Sequence, residues 1–71
     1  MQHLETCRTW KGRRVWLASA AGDAGRVDGE IAKADASFLT AGDVDLAIRL
    51  GDGRVEMVLA SEKGTRWDFV E

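Results

Sequence analysis

Val44-Asp-Leu-Ala-Ile-Arg-Leu50, then Gly51-Asp-Gly53, then Arg54-Val-Glu-Met-Val-Leu-Ala-Ser61 is the stretch that decides the fold class. Val44, Leu46, Ile48 and Leu50 fall on one side of an extended chain, and Asp45, Ala47 and Arg49 on the other. The Gly-Asp-Gly triplet is a turn signal. Beyond it Val55, Met57 and Leu59 alternate with more polar neighbours. A period of two between Gly/Asp turns is the pattern of an antiparallel sheet with one wet face.

Reading outward, Glu62-Lys63-Gly64 makes a second turn, and Trp67 and Phe69 then alternate with Arg66 and Asp68. Upstream, Arg13 to Leu17 sets Val15 and Leu17 against Arg14 and Trp16, which suits a first strand. Ala18 to Gly25 is small and glycine-rich and reads as a loop. Arg26 to Ala32 alternates Val27, Gly29 and Ile31 against Asp28, Glu30 and Ala32. A glycine inside a strand marks a bend or the close approach of another backbone. Ala32 to Ala41 fits two readings. One is a helix with Ile31, Ala34, Phe38 and Leu39 on one face; the other, preferred because strands flank it, is a turn at Asp35 followed by a short strand over 37–40.

The expectation is therefore an all-β domain, a five- to six-stranded antiparallel small barrel of Sm-like or SH3-like type. Its strands run over 13–18, 26–32, 37–40, 44–50 and 54–60, with 65–70 either a sixth or the closing strand, and neighbours are expected to pair in order. The expected core is Val15, Leu17, Val27, Ile31, Leu39, Leu46, Ile48, Val55, Met57, Leu59, Trp67 and Phe69. Residues 1–9 read as a polar N-terminal tail or a short helical turn capped by Thr6 or Thr9, and 10–71 as one small domain.

Seventy-one residues bound a single small core, and 45% hydrophobic with 31% charged residues is an ordinary globular balance. The longest apolar run is too short to span a bilayer, and the first residues lack a charged-then-apolar signal pattern, so a cytoplasmic protein is expected. One cysteine, Cys7, makes no internal disulfide, and one Cys with one His falls short of a zinc ligand set. The net charge of −2 argues against a strongly basic nucleic-acid binder. That average conceals an asymmetry. Residues 1–16 carry Arg8, Lys11, Arg13 and Arg14 against Glu5, while 17–71 carry six basic and eleven acidic side chains.

Residues able to do chemistry are sparse. A general base needs an orienting partner, and His3 lies in a polar terminus. Cys7 has Arg8 and Lys11 nearby but only His3 as a candidate base. The carboxylates Asp23, Asp28, Glu30, Asp35, Asp43, Asp45 and Asp52 read mostly as turn residues. The glycine-rich patches lack the Gly-Lys-Ser/Thr ending of a phosphate loop. The chain reads as a non-enzyme, with no cofactor and no metal.

The remaining signal is aromatic and basic. Trp10, Lys11, Arg13, Arg14 and Trp16 form a lead-in that suits a protein interface. Rings beside cations also hold nucleic acid, and two tryptophans also serve simply to cover the open end of a barrel.

Arg8-Thr-Trp-Lys-Gly-Arg-Arg-Val-Trp-Leu17, Gly25-Arg-Val-Asp-Gly-Glu-Ile31, Asp35, Ile48-Arg-Leu-Gly-Asp-Gly-Arg-Val-Glu-Met57 and Phe69-Val-Glu71 follow one another in an order that resembles an Sm-like domain. More narrowly, the order resembles the C-terminal domain of the bacterial ribosome maturation factor family. The resemblance covers about sixty residues. It implies a small barrel that meets the small ribosomal subunit through a ribosomal protein. Three features depart from that family. Its larger N-terminal domain is not in this sequence, Ala36 to Val44 is longer than its usual connection, and Ser61-Glu-Lys-Gly64 replaces its Ile-x-x-Ala stretch. The functional expectation is a non-catalytic module acting by protein–protein contact, with the ribosome or a ribosomal protein as one such partner. The alternatives are a nucleic-acid-binding barrel and a self-associating accessory protein of phage or mobile-element type. The oligomeric state stays open, and no membrane partner is expected.

Overall fold

A computed structural model describes residues 3–18 and 25–70. The glycine-rich loop expected between Ala18 and Gly25, with Asp23, lies outside the described residues apart from its two ends. The elements are a one-turn helix α1 (Leu4–Arg8) and strands β1 (Arg14–Ala18), β2 (Arg26–Ala36), β3 (Val44–Leu50), β4 (Val55–Leu59) and β5 (Trp67–Phe69). A 3-10 turn, Ala60–Glu62, joins β4 to β5.

All five strands lie in one antiparallel sheet in the order β4-β3-β2-β1-β5. The sheet is open: β4 and β5 are its two edges and share no ladder. Neighbours therefore do not pair in order at the last step: of the two places open to 65–70, a sixth strand or the closing one, the chain takes the position beside β1 without closing the sheet. Thr65–Val70 does not fold back on β4 but crosses to the far side of β1, pairing Val15 with Phe69 and Leu17 with Trp67. The 3-10 turn carries the chain across, so Glu62-Lys63-Gly64 is not a hairpin turn.

β2 is the long strand, and it bends. Its register with β3 slips between Ile31 and Lys33, leaving Ala32 as a bulge. Bulges increase local twist, which curls the sheet around its apolar face. Gly29 allows that curl. A Cβ there would sit 2.8 Å from the Arg49 carbonyl oxygen and 2.8 Å from Ile48 Cγ2. The close approach of another backbone, expected from a glycine in a strand, is what occurs.

The strand expected over 37–40 does not form, and neither does the helical alternative. β2 runs on through Ala36, and the loop that follows is closed by its own bonds. Ser37 N–H donates to Asp43 O at 3.0 Å, Thr40 N–H to Ser37 Oγ at 3.0 Å and Asp43 N–H to Thr40 O at 3.1 Å. Leu39 is thereby left out of the core, 89% exposed beside Phe38 at 93%.

The buried set is Cys7, Val15, Leu17, Ile31, Ala34, Val44, Leu46, Ile48, Leu50, Val58, Ala60 and Trp67, with Leu4, Trp10, Val27 and Phe69 packed against it. Val55 and Met57, expected inside, are exposed, and Leu59 is half-buried. The turn decides this. Leu50 donates its N–H to Arg54 O at 2.7 Å, closing a three-residue Gly51-Asp52-Gly53 loop with Gly53 at φ +92°. Leu50 faces inward, so its partner Arg54 and then Glu56 and Val58 take the inner side of β4. A shift of one residue flips every side chain.

The N-terminal segment forms the helical turn rather than a tail. Its fourth residue, Cys7, enters the core. Neither threonine caps its start: His3 occupies that position, exposed, while Thr9 ends the helix with its hydroxyl donating to Thr6 O at 2.6 Å.

Candidate functional site

The five residues of the basic-aromatic lead-in do not gather into one patch. Trp10 folds onto the inner face, with its ring centroid 5.8 Å from that of Trp67 and 5.3 Å from that of Phe69. Arg13 lays its guanidinium 4.0 Å over the Phe69 ring. Arg14 and Trp16 point to the outer face of β1. Arg26 stacks 3.9 Å over the Trp16 ring, and Asp28 and Asp68 stand on either side of that residue across the strands. Lys11 is exposed in the turn before β1. Arg26 on Trp16 and Arg13 on Phe69 occupy ring faces that would otherwise stack a base.

The outer face carries charge in rows. Arg14, Glu30 and Arg49 sit side by side across β1, β2 and β3, an alternating series that continues to Val55 on β4. A shallow hollow of about 320 Å³ lies here, lined by Arg14, Asp28, Glu30, Arg49 and Leu50. Asp28, Glu30, Asp35 and Asp45 belong to strands, so turn chemistry accounts for Asp43 and Asp52 but not for them.

The turn carboxylates are well used. Asp43 accepts from Val44 N–H at 2.8 Å, Ser61 N–H at 3.2 Å and the Ser61 hydroxyl at 2.5 Å, tying the 37–43 loop to the 3-10 turn. Partial burial pushes this carboxyl up. The Ser61 hydroxyl and the two amides outweigh it and hold the group below the usual carboxylate range. Asp52 is lowered first by the Arg54 amide and also by the Arg54 guanidinium. Asp68 is lowered by the Phe69 amide and by Lys63. Burial pushes the Cys7 thiol up, and the nearby Asp43 charge adds to this, the reverse of an activated thiolate. No group of three or more His, Cys, Asp or Glu side chains able to hold a metal ion occurs among the described residues. No described helix is long and apolar enough to cross a membrane.

The feature the sequence reading missed lies at the two sheet edges. Along β4 the backbone groups of Arg54, Glu56 and Val58 face β3, as the Leu50–Arg54 bond fixes, so those of Val55, Met57 and Leu59 face outward. At Leu59 both outward groups are claimed. Its N–H donates to Glu62 Oε1 at 2.8 Å, and its carbonyl accepts from Trp67 Nε1 at 2.9 Å. On β5, the Phe69 N–H goes to Asp68 Oδ1 at 2.7 Å and the Trp67 carbonyl accepts from Gly64 N–H at 2.7 Å. The outward groups of Val55 and Met57 have no such partner among the described residues.

That short free stretch lies among exposed apolar side chains. Val55 and Met57 are each 55% exposed, and Phe38 and Leu39 project from the neighbouring loop. Leu39 and Met57 line an open groove of about 220 Å³, bounded also by Asp45, Leu59, Glu62 and Arg66. Free edge strands are normally blunted by charge, proline or a cover. Large exposed apolar clusters mark interaction sites. The parity of β4 follows from turn length, which is why alternation alone pointed Val55 and Met57 inward. Comparison of the chain with protein-family models, with curated proteins and with solved structures finds no match.

Proposed function

We propose that this chain is a non-catalytic binding module that takes an extended segment of a protein partner onto the free edge of β4. The observation that carries the reading is the backbone of Val55 and Met57, unclaimed among the described residues, with the exposed side chains of Val55 and Met57 beside it and exposed Leu39 lining the same groove as Met57. Strand addition uses such backbone groups for affinity and the flanking side chains for selectivity.

The curled sheet is read as a small Sm-like or SH3-like barrel. The Trp67–Leu59 hydrogen bond, which links the two edge strands by a side chain instead of a ladder, supports this. The sequence resemblance to the ribosome maturation factor family makes a ribosomal protein the first partner to test.

Two elements argue against a second copy as the occupant. The free stretch runs from Val55 to Met57, so twofold pairing of β4 with itself sets one Glu56 directly against the other, like charge on like. The other edge, β5, already spends Phe69 N–H and the Trp67 carbonyl internally.

The test compares capture from lysate by the wild-type chain and by Met57→Lys, reading the recovered proteins by mass spectrometry and the β4 amides by hydrogen exchange. The expected result is a partner lost on Met57→Lys, with the Val55 and Met57 amides slowed when it is bound. Recovery of the same proteins by Met57→Lys, or unchanged exchange at those amides in the complex, overturns the proposal.

A further inference from the structure

Among the described residues, the groove beside the free edge holds one charged group without a counterion. Asp45 stands on the outer face of β3, directly across from Asp35 on one side and Leu59 on the other. Like charges set opposite each other across a sheet repel. Asp35 is offset by Lys33 Nζ at 3.3 Å. Asp45 has no ion pair among the described residues. The other charges in the groove are committed: Glu62 accepts from Leu59 N–H through Oε1, and its Oε2 lies 3.7 Å from Arg66 Nη1.

Resting on the proposed function, we infer that the segment taken by β4 carries a lysine or arginine among apolar residues, and that Asp45 receives its charge. The groove's composition selects such a side chain. Met57, Leu59 and Leu39 offer an apolar bed, and the carboxylate lies at its inner end. A long aliphatic stem with a cationic tip buries the one and pairs with the other. An added strand would lie two strand spacings, roughly 10 Å, from β3. A lysine or arginine lying across Met57 and Leu59, together with the reach of the Asp45 carboxylate and the ion-pair separation itself, bridges that span. An acidic residue in the same place would meet Asp45 and Glu62, so the site discriminates by repulsion as well as by attraction.

The probes are two capped seven-residue peptides of alternating valine and threonine, one with a central lysine and one with a central glutamate. Each is titrated into the 15N-labelled chain. The lysine peptide is expected to shift the Val55, Met57 and Asp45 amides and to bind up to about fivefold tighter, the upper end for an exposed ion pair. Asp45→Asn should narrow that gap while leaving the lysine peptide bound. Equal affinities, or a tighter glutamate peptide, overturn the basic preference and leave the edge reading standing. No shift at Val55 or Met57 with either peptide removes the edge reading, and this inference with it.

Discussion

The indole Nε1 of Trp67 donates to the carbonyl of Leu59 across 2.9 Å. This bond joins the first residue of one edge strand to the last residue of the other. It ends the free part of β4, because among the described residues Leu59 is the only outward-facing residue of that strand whose N–H and C=O both find partners. The Trp67 ring is fully buried, with Phe69 edge-on at 5.3 Å and Trp10 tilted at 5.8 Å. One side chain thus anchors the core and sets the limit of the exposed edge.

Trp67→Phe separates these two roles. It keeps most of the aromatic packing but leaves the Leu59 carbonyl without its donor. The expected cost is about 1–3 kcal/mol for the unpaired acceptor. Trp67→Ala also opens a cavity and should cost about 3–5 kcal/mol, a large share of a small domain's stability. Urea unfolding followed by circular dichroism measures both. A Trp67→Phe variant as stable as wild type would show that the seam does not depend on the hydrogen bond.

Gly29→Ala tests the close approach of β2 and β3. Its methyl group would collide with the Arg49 carbonyl oxygen and Ile48 Cγ2, both at 2.8 Å. Backbone on one side and a packed core side chain on the other leave little room to yield. A loss of about 1–3 kcal/mol is expected. Gly51→Ala is the control, since nothing lies within 4 Å of a Cβ there. It should fall within about 0.5 kcal/mol of wild type. Equal midpoints for the two variants would contradict the tight crossing.

How far the sequence could be read depended on which force fixed each feature. β1 and β3 were legible because their burial follows their own alternation: Val15 and Leu17, then Val44, Leu46, Ile48 and Leu50, are all buried. β4 was not, because Val58 and Ala60 on one side compete with Val55, Met57 and Leu59 on the other. The three-residue Gly51–Gly53 loop, not hydrophobicity, chose between them. The strand expected over 37–40 failed because Phe38 and Leu39 look like core residues, while the loop's fit depends on Asp43 reaching Ser61, 18 residues away. No local signal decided whether 65–70 would lie beside β4 or, as a closing strand would, beside β1. As for function, Trp10 and Trp16 differ in fate because one precedes β1 and folds inward while the other sits at an outward position within it. The free edge of β4 became visible only once its parity was known.

Asp43 gives the fold an acid sensitivity whose direction follows from its bonds. Its carboxyl titrates below its unfolded value because Ser61 and two amides donate to it, outweighing its partial burial. The unfolded chain therefore binds more protons in that range. The stabilisation is fully present above the ordinary aspartate pKa of about 3.9 and is lost as pH falls through the lower folded value. Asp52 and Asp68 act in the same direction. Ser61→Ala isolates Asp43, since it removes one donor and leaves the other two carboxylates alone. It should lower stability at pH 7 and flatten the fall as pH drops below the ordinary aspartate range, as read from urea midpoints along the series. A profile parallel to wild type would mean that the Ser61 bond does not act on the titration.

The assignment of the free edge can be tested without any partner. Met57 N–H faces away from β3, so proline there deletes no ladder bond, and Glu56, already extended, is in the conformation that a following proline demands. Val58 N–H faces β3, so proline at that position removes a bond and leaves an acceptor on β3 unpaired. Met57→Pro should therefore remain folded, and Val58→Pro should be less stable by about 1–3 kcal/mol from the lost bond alone. Thermal melts of the two variants give the comparison, and near-ultraviolet circular dichroism of the tryptophans reports whether the core survives. If Met57→Pro unfolds as readily as Val58→Pro, the backbone of β4 points the other way and Val55 and Met57 offer no edge. If the order is as stated, Met57→Pro also removes an N–H that an added strand would use, so it should lose the partner while keeping the fold, a separation that truncating an apolar side chain alone would not give.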